Sequence, residues 1–192
     1  PAVIDAEYAA RNHCISSTVI GIAVCNRFGI EAQPMSVEVL AMNDRMYEWL
    51  NSGLGIEERA DEAWSVGIRN DSAQLKIERK ETPTAGWDGH LIVELPGRGF
   101  MDLNSGPLAR PLKNQFVREA LFIQAELNGF ETLVFRPDGE FVNEDGRTVK
   151  PAIMTYRRSS PGTIGEAWKT SPDWLRGTTE LGDVVDQIVS LV

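Results

Sequence analysis

The sequence is poor in the residues that build cross-linked or metal-centred folds. It has two cysteines and two histidines among 192 residues. Two cysteines do not make a disulfide framework. Cys14 and Cys25 fall on one predicted helix, which at 1.5 Å per residue sets their Cα atoms roughly 16 Å apart. A disulfide needs less than about 7 Å, so both are expected to be free thiols. Two histidines and two cysteines at these spacings match no zinc pattern, and no metal or other cofactor is expected. Basic charge is also short, with 19 Lys and Arg against 28 Asp and Glu and a net charge of −9. That argues against nucleic acid or an anionic membrane as the main partner, because both demand a basic surface. Long apolar runs are missing too. The longest, Val19 to Cys25, is far short of the roughly 20 residues of a membrane span. The first residues carry acids and no apolar run, so no secretory signal is read there, and a reducing cytoplasm is the expected compartment. No glycine-rich phosphate loop is present: neither Gly29 nor the Gly97/Gly99 pair sits between a strand and a helix start.

What is there fits one domain spanning residues 1–192 and able to bury a substantial core. The stretch Asn12 to Gly29 reads as a largely buried helix with Asn12 as N-cap. Ile15, Val19, Ile22 and Cys25 recur at helical spacing, and Gly29 is suited to C′. Met35, Val37, Val39 and Ala41 alternate as one face of a strand. Asp44 is placed to cap a short helix over Arg45–Asn51. Glu57–Ala63 offers a helical turn, and Ala63–Ile68 and Leu75–Arg79 two short strands. His90–Leu95 and Gly99–Leu103 read as a hairpin around Pro-Gly-Arg. The spacing of Phe116, Ala120, Ile123 and Leu127 predicts a helix over 114–128. Short strands follow at Glu131–Arg136, Glu140–Val142 and Lys150–Arg157. Ser171–Leu175 is a short helix or turn. Thr179 is expected to cap a final helix striped by Leu181, Val184, Val185, Ile188, Val189 and Val192, docking in cis. One early helix, a run of strands and helices at the edges make an α+β fold with an antiparallel sheet.

Three residues carry the chemistry. Cys14 lies in the first turn of its helix, near unpaired backbone N–H groups and the positive end of the helix dipole, which favour thiolate over thiol. His90 opens an apolar strand, and Asp102 lies on the next one. Side chains on one strand face recur every two residues. A two- or four-residue loop would put Asp102 on the face away from His90. A three-residue loop, Pro96–Arg98 or Gly97–Gly99, puts it opposite Ile92 or Glu94, on the face of His90. An aspartate there would fix the imidazole tautomer, and the imidazole would act as general base and acid for the cysteine. The Cys14 backbone N–H is the natural oxyanion donor. Asn12, Tyr8 and Trp87 are candidates for a second. Taken singly, a helical cysteine is more often a small buried residue and a turn aspartate more often bonds backbone N–H groups. The ordered set is what points to a nucleophile. Cys25 is read as core and His13 as a surface or capping residue.

Three segments, CISSTVIGIAVCNRFGIEAQPMSVEV, GHLIVEL and FMDLNSGPLARP, together resemble the transglutaminase-like superfamily of papain-type thiol enzymes over roughly residues 10–110. The DLNSGPLARP segment is also similar to arylamine N-acetyltransferases. The resemblance implies a cysteine-headed helix packed on an antiparallel sheet, with Cys14 as acyl-accepting nucleophile and His90 and Asp102 completing a triad. It implies an acyl-transfer or amide-hydrolysing enzyme acting on a protein, peptide or small amide or thioester substrate. The alternative is a catalytically inactive binding protein of the same fold, such as a bacterial or phage accessory factor. The chain departs from the family in lacking a Trp or Arg-Gly-Gly beside the cysteine.

Overall fold

The computed structural model describes residues 14–59, 62–68, 89–109, 116–129, 131–142, 146–159 and 166–191. Helix α1, Cys14–Arg27, ends as its sequence dictates. Gly29 is left-handed at φ 67°. Its N–H donates to Asn26 O at 3.1 Å and the Ile30 N–H to Cys25 O at 2.9 Å. Those are the two bonds of a Schellman cap, and Ile30 packs in one cluster with Cys25, as such caps favour.

Strand β1, Gln33–Met42, is the axis of the sheet. Met35, Val37, Val39 and Ala41 are buried, as the alternation predicts. Helix α2, Asp44–Ser52, follows. Its cap is Asn43 rather than the expected Asp44: the Asn43 side chain accepts from the Met46 N–H at 3.0 Å. A single 3-10 turn, Ile56–Glu58, overlaps only the first two residues of the helical turn expected over Glu57–Ala63, of which residues 60 and 61 lie outside the described residues. Strands β2, Ser65–Ile68, and β3, His90–Leu95, both pair antiparallel with β1 along the same side. β3 takes Gln33 to Val37 and β2 takes Val39 to Met42. Strand β4, Gly99–Asp102, returns from β3. After it come β5, Leu121–Ile123; β6, Leu133–Phe135; the small hairpin β7, Phe141–Val142, and β8, Thr148–Val149; and β9, Ile153–Arg158. The main sheet runs β5-β4-β3-β1-β9-β6, with β2 alongside β1. All its pairings are antiparallel.

The helix expected over 114–128 is not formed. Residues 121–123 are strand β5, with Leu121 and Ile123 buried and Phe122 exposed, a period of two. β5 covers the otherwise open edge of β4, pairing Asp102 with Leu121 and Phe100 with Ile123. Edge pairing and burial override the helical spacing there. A parallel bridge between Phe116 and Pro151 then draws the lead-in to β5 towards the lead-in to β9, so the sheet curls around its inner face. Met35, Val37, Val39, Ile92, Phe100, Met154 and Tyr156 pack inside that curl.

The outer face carries α1, whose residues pack on Leu91, Val93 and Leu95 of β3. The C-terminal segment is two helices, not one: α3, Pro172–Glu180, and α4, Gly182–Val189. Ser171 caps α3 by accepting from the Trp174 N–H at 3.1 Å, and Thr179 lies inside α3 rather than capping the last helix. Leu181, Val184 and Val185 dock in cis on Val19 and Ile20 of α1. The lead-in, Asn12, His13, Tyr8, Trp87 and the strand expected at Leu75–Arg79 lie outside the described residues. No helix among the described residues is long and apolar enough to cross a membrane.

Candidate active site

Three elements deliver the three residues. Cys14 is the first described residue of α1 and is buried, packed with Ile15, Leu91 and Trp168. Its Sγ donates weakly to Gly89 O at 3.8 Å. One turn along the helix, the Thr18 hydroxyl donates to Leu91 O at 3.0 Å and fastens α1 to the start of β3. Gly21 lets the two elements close: a Cβ there would stand 2.6 Å from Leu103 Cδ1 and 2.9 Å from Val93 Cγ2.

His90 opens β3 and is fully buried. Asp102 ends β4. The hairpin between them pairs Leu95 with Gly99, so its loop is the three residues Pro96–Arg98. Gly97 is left-handed at φ 71° and Gly99 lies at φ 112°, as that loop requires. This register sets Asp102 opposite Ile92, on the face of His90. Of the two open arrangements, this is the one that allows contact. His90 Nε2 donates to Asp102 Oδ1 at 2.9 Å, and both side chains are fully buried. Asp102 Oδ1 also accepts the Asn104 N–H at 3.1 Å, so the aspartate serves the turn as well as the histidine. The Tyr156 hydroxyl donates to Oδ2 at 2.8 Å.

These contacts set the charges. Burial by itself would lower the His90 pKa. The Asp102 charge and hydrogen bond, with hydrogen bonding and charge from the neighbouring Cys14, outweigh it and push His90 up to about 10. Burial would likewise raise the Asp102 carboxyl. The His90 charge and hydrogen bond, the Asn104 N–H and the Tyr156 hydroxyl hold it below the usual carboxylate range. Burial, then the Asp102 charge and hydrogen bond, keeps Tyr156 well above an ordinary phenol. At neutral pH the pair is imidazolium and carboxylate. His90 Nδ1 makes no hydrogen bond of ordinary geometry among the described residues. Cys25 is a buried free thiol deeper in α1, its pKa raised by burial.

Compared with protein-family models, curated proteins and solved structures, the chain matches none.

Two contributors escape sequence reasoning. Tyr156 sits in a predicted strand, but its meeting with Asp102 depends on strand order. Trp168 walls the thiol from a 3-10 turn, Ala167–Thr170, far along the chain. A cavity of about 460 Å³ lies on the α1 side of the sheet, lined among others by Glu38, Leu40, Tyr47 and Val134. Glu38 follows Val37, the cross-strand partner of His90, so the cavity lies on the sheet face away from His90. Among the described residues no group of three His, Cys, Asp or Glu could hold a metal ion.

Proposed function

We propose that the chain is a cysteine-dependent acyl-transfer or amide-hydrolysing enzyme of transglutaminase-like type, with Cys14 as nucleophile, His90 as general base and acid, and Asp102 as the group that orients it. The observation that carries the reading is the fully buried His90, bound through Nε2 to Asp102 and close enough to Cys14 for that thiol to contribute to its raised pKa. An imidazole used only for packing would not need an ionised, triply hydrogen-bonded carboxylate behind it. With Nε2 committed to Asp102, Nδ1 is the nitrogen that exchanges a proton with the thiol. The thiolate attacks an amide or thioester carbonyl. The Cys14 N–H at the helix start stabilises the oxyanion. His90 hands its proton to the leaving amine or thiol, leaving an acyl-enzyme on Sγ. Water or an amine, deprotonated by His90, then releases the acyl group.

The test is alkylation by iodoacetamide, read by mass spectrometry in wild type and His90→Ala. At about pH 6.5, two units below an ordinary thiol, Cys14 should react at least tenfold faster than Cys25, and His90→Ala should remove most of that difference. Equal rates for the two thiols, or rates indifferent to His90, would sink the reading. The alternative of an inactive binding protein of this fold would then stand.

A further inference from the structure

We propose that Tyr156 is a positioning residue of this site: its hydroxyl, reaching Asp102 Oδ2 from β9, keeps the carboxylate turned so that Oδ1 meets His90 Nε2. The inference rests on the Cys14–His90–Asp102 reading and adds a fourth member to it.

The geometry is demanding. β9 and β4 are separated in the sheet by β1 and β3. Three strand spacings amount to roughly 14 Å across a flat sheet, whose side chains stand perpendicular and do not meet over that span. The contact exists because the sheet curls. Within it the ring of Tyr156 is packed among apolar groups: Val39 is its cross-strand partner, and Phe100 meets it edge-on with centroids 5.0 Å apart. A phenol buried in such a place needs an acceptor, and Asp102 Oδ2 accepts from it. Conversely, Oδ2 without that donor would be a buried, charged acceptor with nothing to bind, which is costly. Alternation puts Arg158 of β9 and Glu94 of β3 on the same sheet face, where they pair with each other. The donors on Asp102 are thus His90, the Asn104 N–H and Tyr156. Among the described residues Tyr156 alone holds the second oxygen, and so fixes the rotation of the carboxylate about its own axis.

The bond also tunes acceptor strength. A hydroxyl holding Oδ2 keeps Oδ1 aimed at the Nε2 proton and so supports its pull. The downfield Nε2–H resonance of His90 reports that pull. The chain has two histidines, so the signal is assigned by ¹⁵N-histidine labelling and by its loss in His90→Ala. In Tyr156→Phe the carboxylate is free to turn and the Oδ1–Nε2 bond weakens, so the resonance should move upfield and Cys14 alkylation should slow several-fold with Cys25 unchanged. Protein grown with 3-fluorotyrosine, a stronger donor, should move it the opposite way. That second protein decides the matter if Tyr156→Phe does not fold. A resonance identical in the folded variants overturns the role while leaving the catalytic reading intact. A Cys14 rate indifferent to His90→Ala removes the catalytic reading and this role with it.

Discussion

His90 and Asp102 hold each other's charge, and the sign of each shift fixes how stability follows pH. His90 is raised from 6.5 to about 10, so its contribution is complete below about pH 6.5 and is lost as pH climbs through about 10. Asp102 is lowered, so its contribution is present above about pH 4 and is lost as pH falls through its folded value. The melting temperature should therefore decline between about pH 7 and 10, and His90→Gln should flatten that decline. Wild type and variant falling in parallel over this range would show that the imidazolium contributes nothing to stability. Asp102→Asn should cost more than His90→Gln, because it leaves Nε2 and the Tyr156 hydroxyl competing for a weaker, neutral acceptor inside the core. Buried polar groups left in that state cost about 1–3 kcal/mol each, readable as a drop in the urea midpoint.

At the scale of elements, the position of Cys14 depends on how closely α1 lies on β3. Gly21 sets that distance together with the Thr18 bond to Leu91. Gly21→Ala should therefore destabilise. Overpacking of this sort costs about 1–3 kcal/mol, against about 1 kcal/mol gained from the better helix propensity of alanine. The same variant should slow Cys14 alkylation by displacing the helix start from His90. A Gly21→Ala protein with wild-type stability and reactivity would mean that the Leu103 and Val93 side chains yield freely. The other side of α1 is covered by α4 and the Leu181 that precedes it, where Leu181, Val184 and Val185 meet Val19 and Ile20. Leu181→Ala should cost about 2–5 kcal/mol in chemical denaturation, as for other buried leucines. A loss under about 1 kcal/mol would mean that α4 is a loose appendage.

Over the whole molecule, β1 is the strand on which the others depend. It hydrogen-bonds β3 and β2 along one side and β9 along the other, with its inner face fully covered. Amide hydrogen exchange should be slowest in β1, β3 and β9 and faster in the short outer strands β5 and β6. Fast exchange in β1 would contradict this order. The curl of the sheet is the global feature with a chemical consequence, since it carries Tyr156 from one side of the core to Asp102 on the other.

Much of this was legible in the residues. The α+β class, the helix from Cys14 to its Gly29 cap, the buried face of β1 and the two loop geometries open to the 96–99 turn all follow from local periodicity and glycine conformation. Those are short-range properties, and neighbouring side chains suffice to set them. The last step was not local. Whether Asp102 faced His90 turned on one residue of hairpin register, and the tertiary structure chose the three-residue loop. The helix expected around Phe116 to Leu127 gave way to β5 because the bare edge of β4 needed a partner, a demand invisible in that segment. Tyr156 and Trp168 joined the site only through strand order and curl, which place residues more than fifty positions apart side by side by burying a shared core.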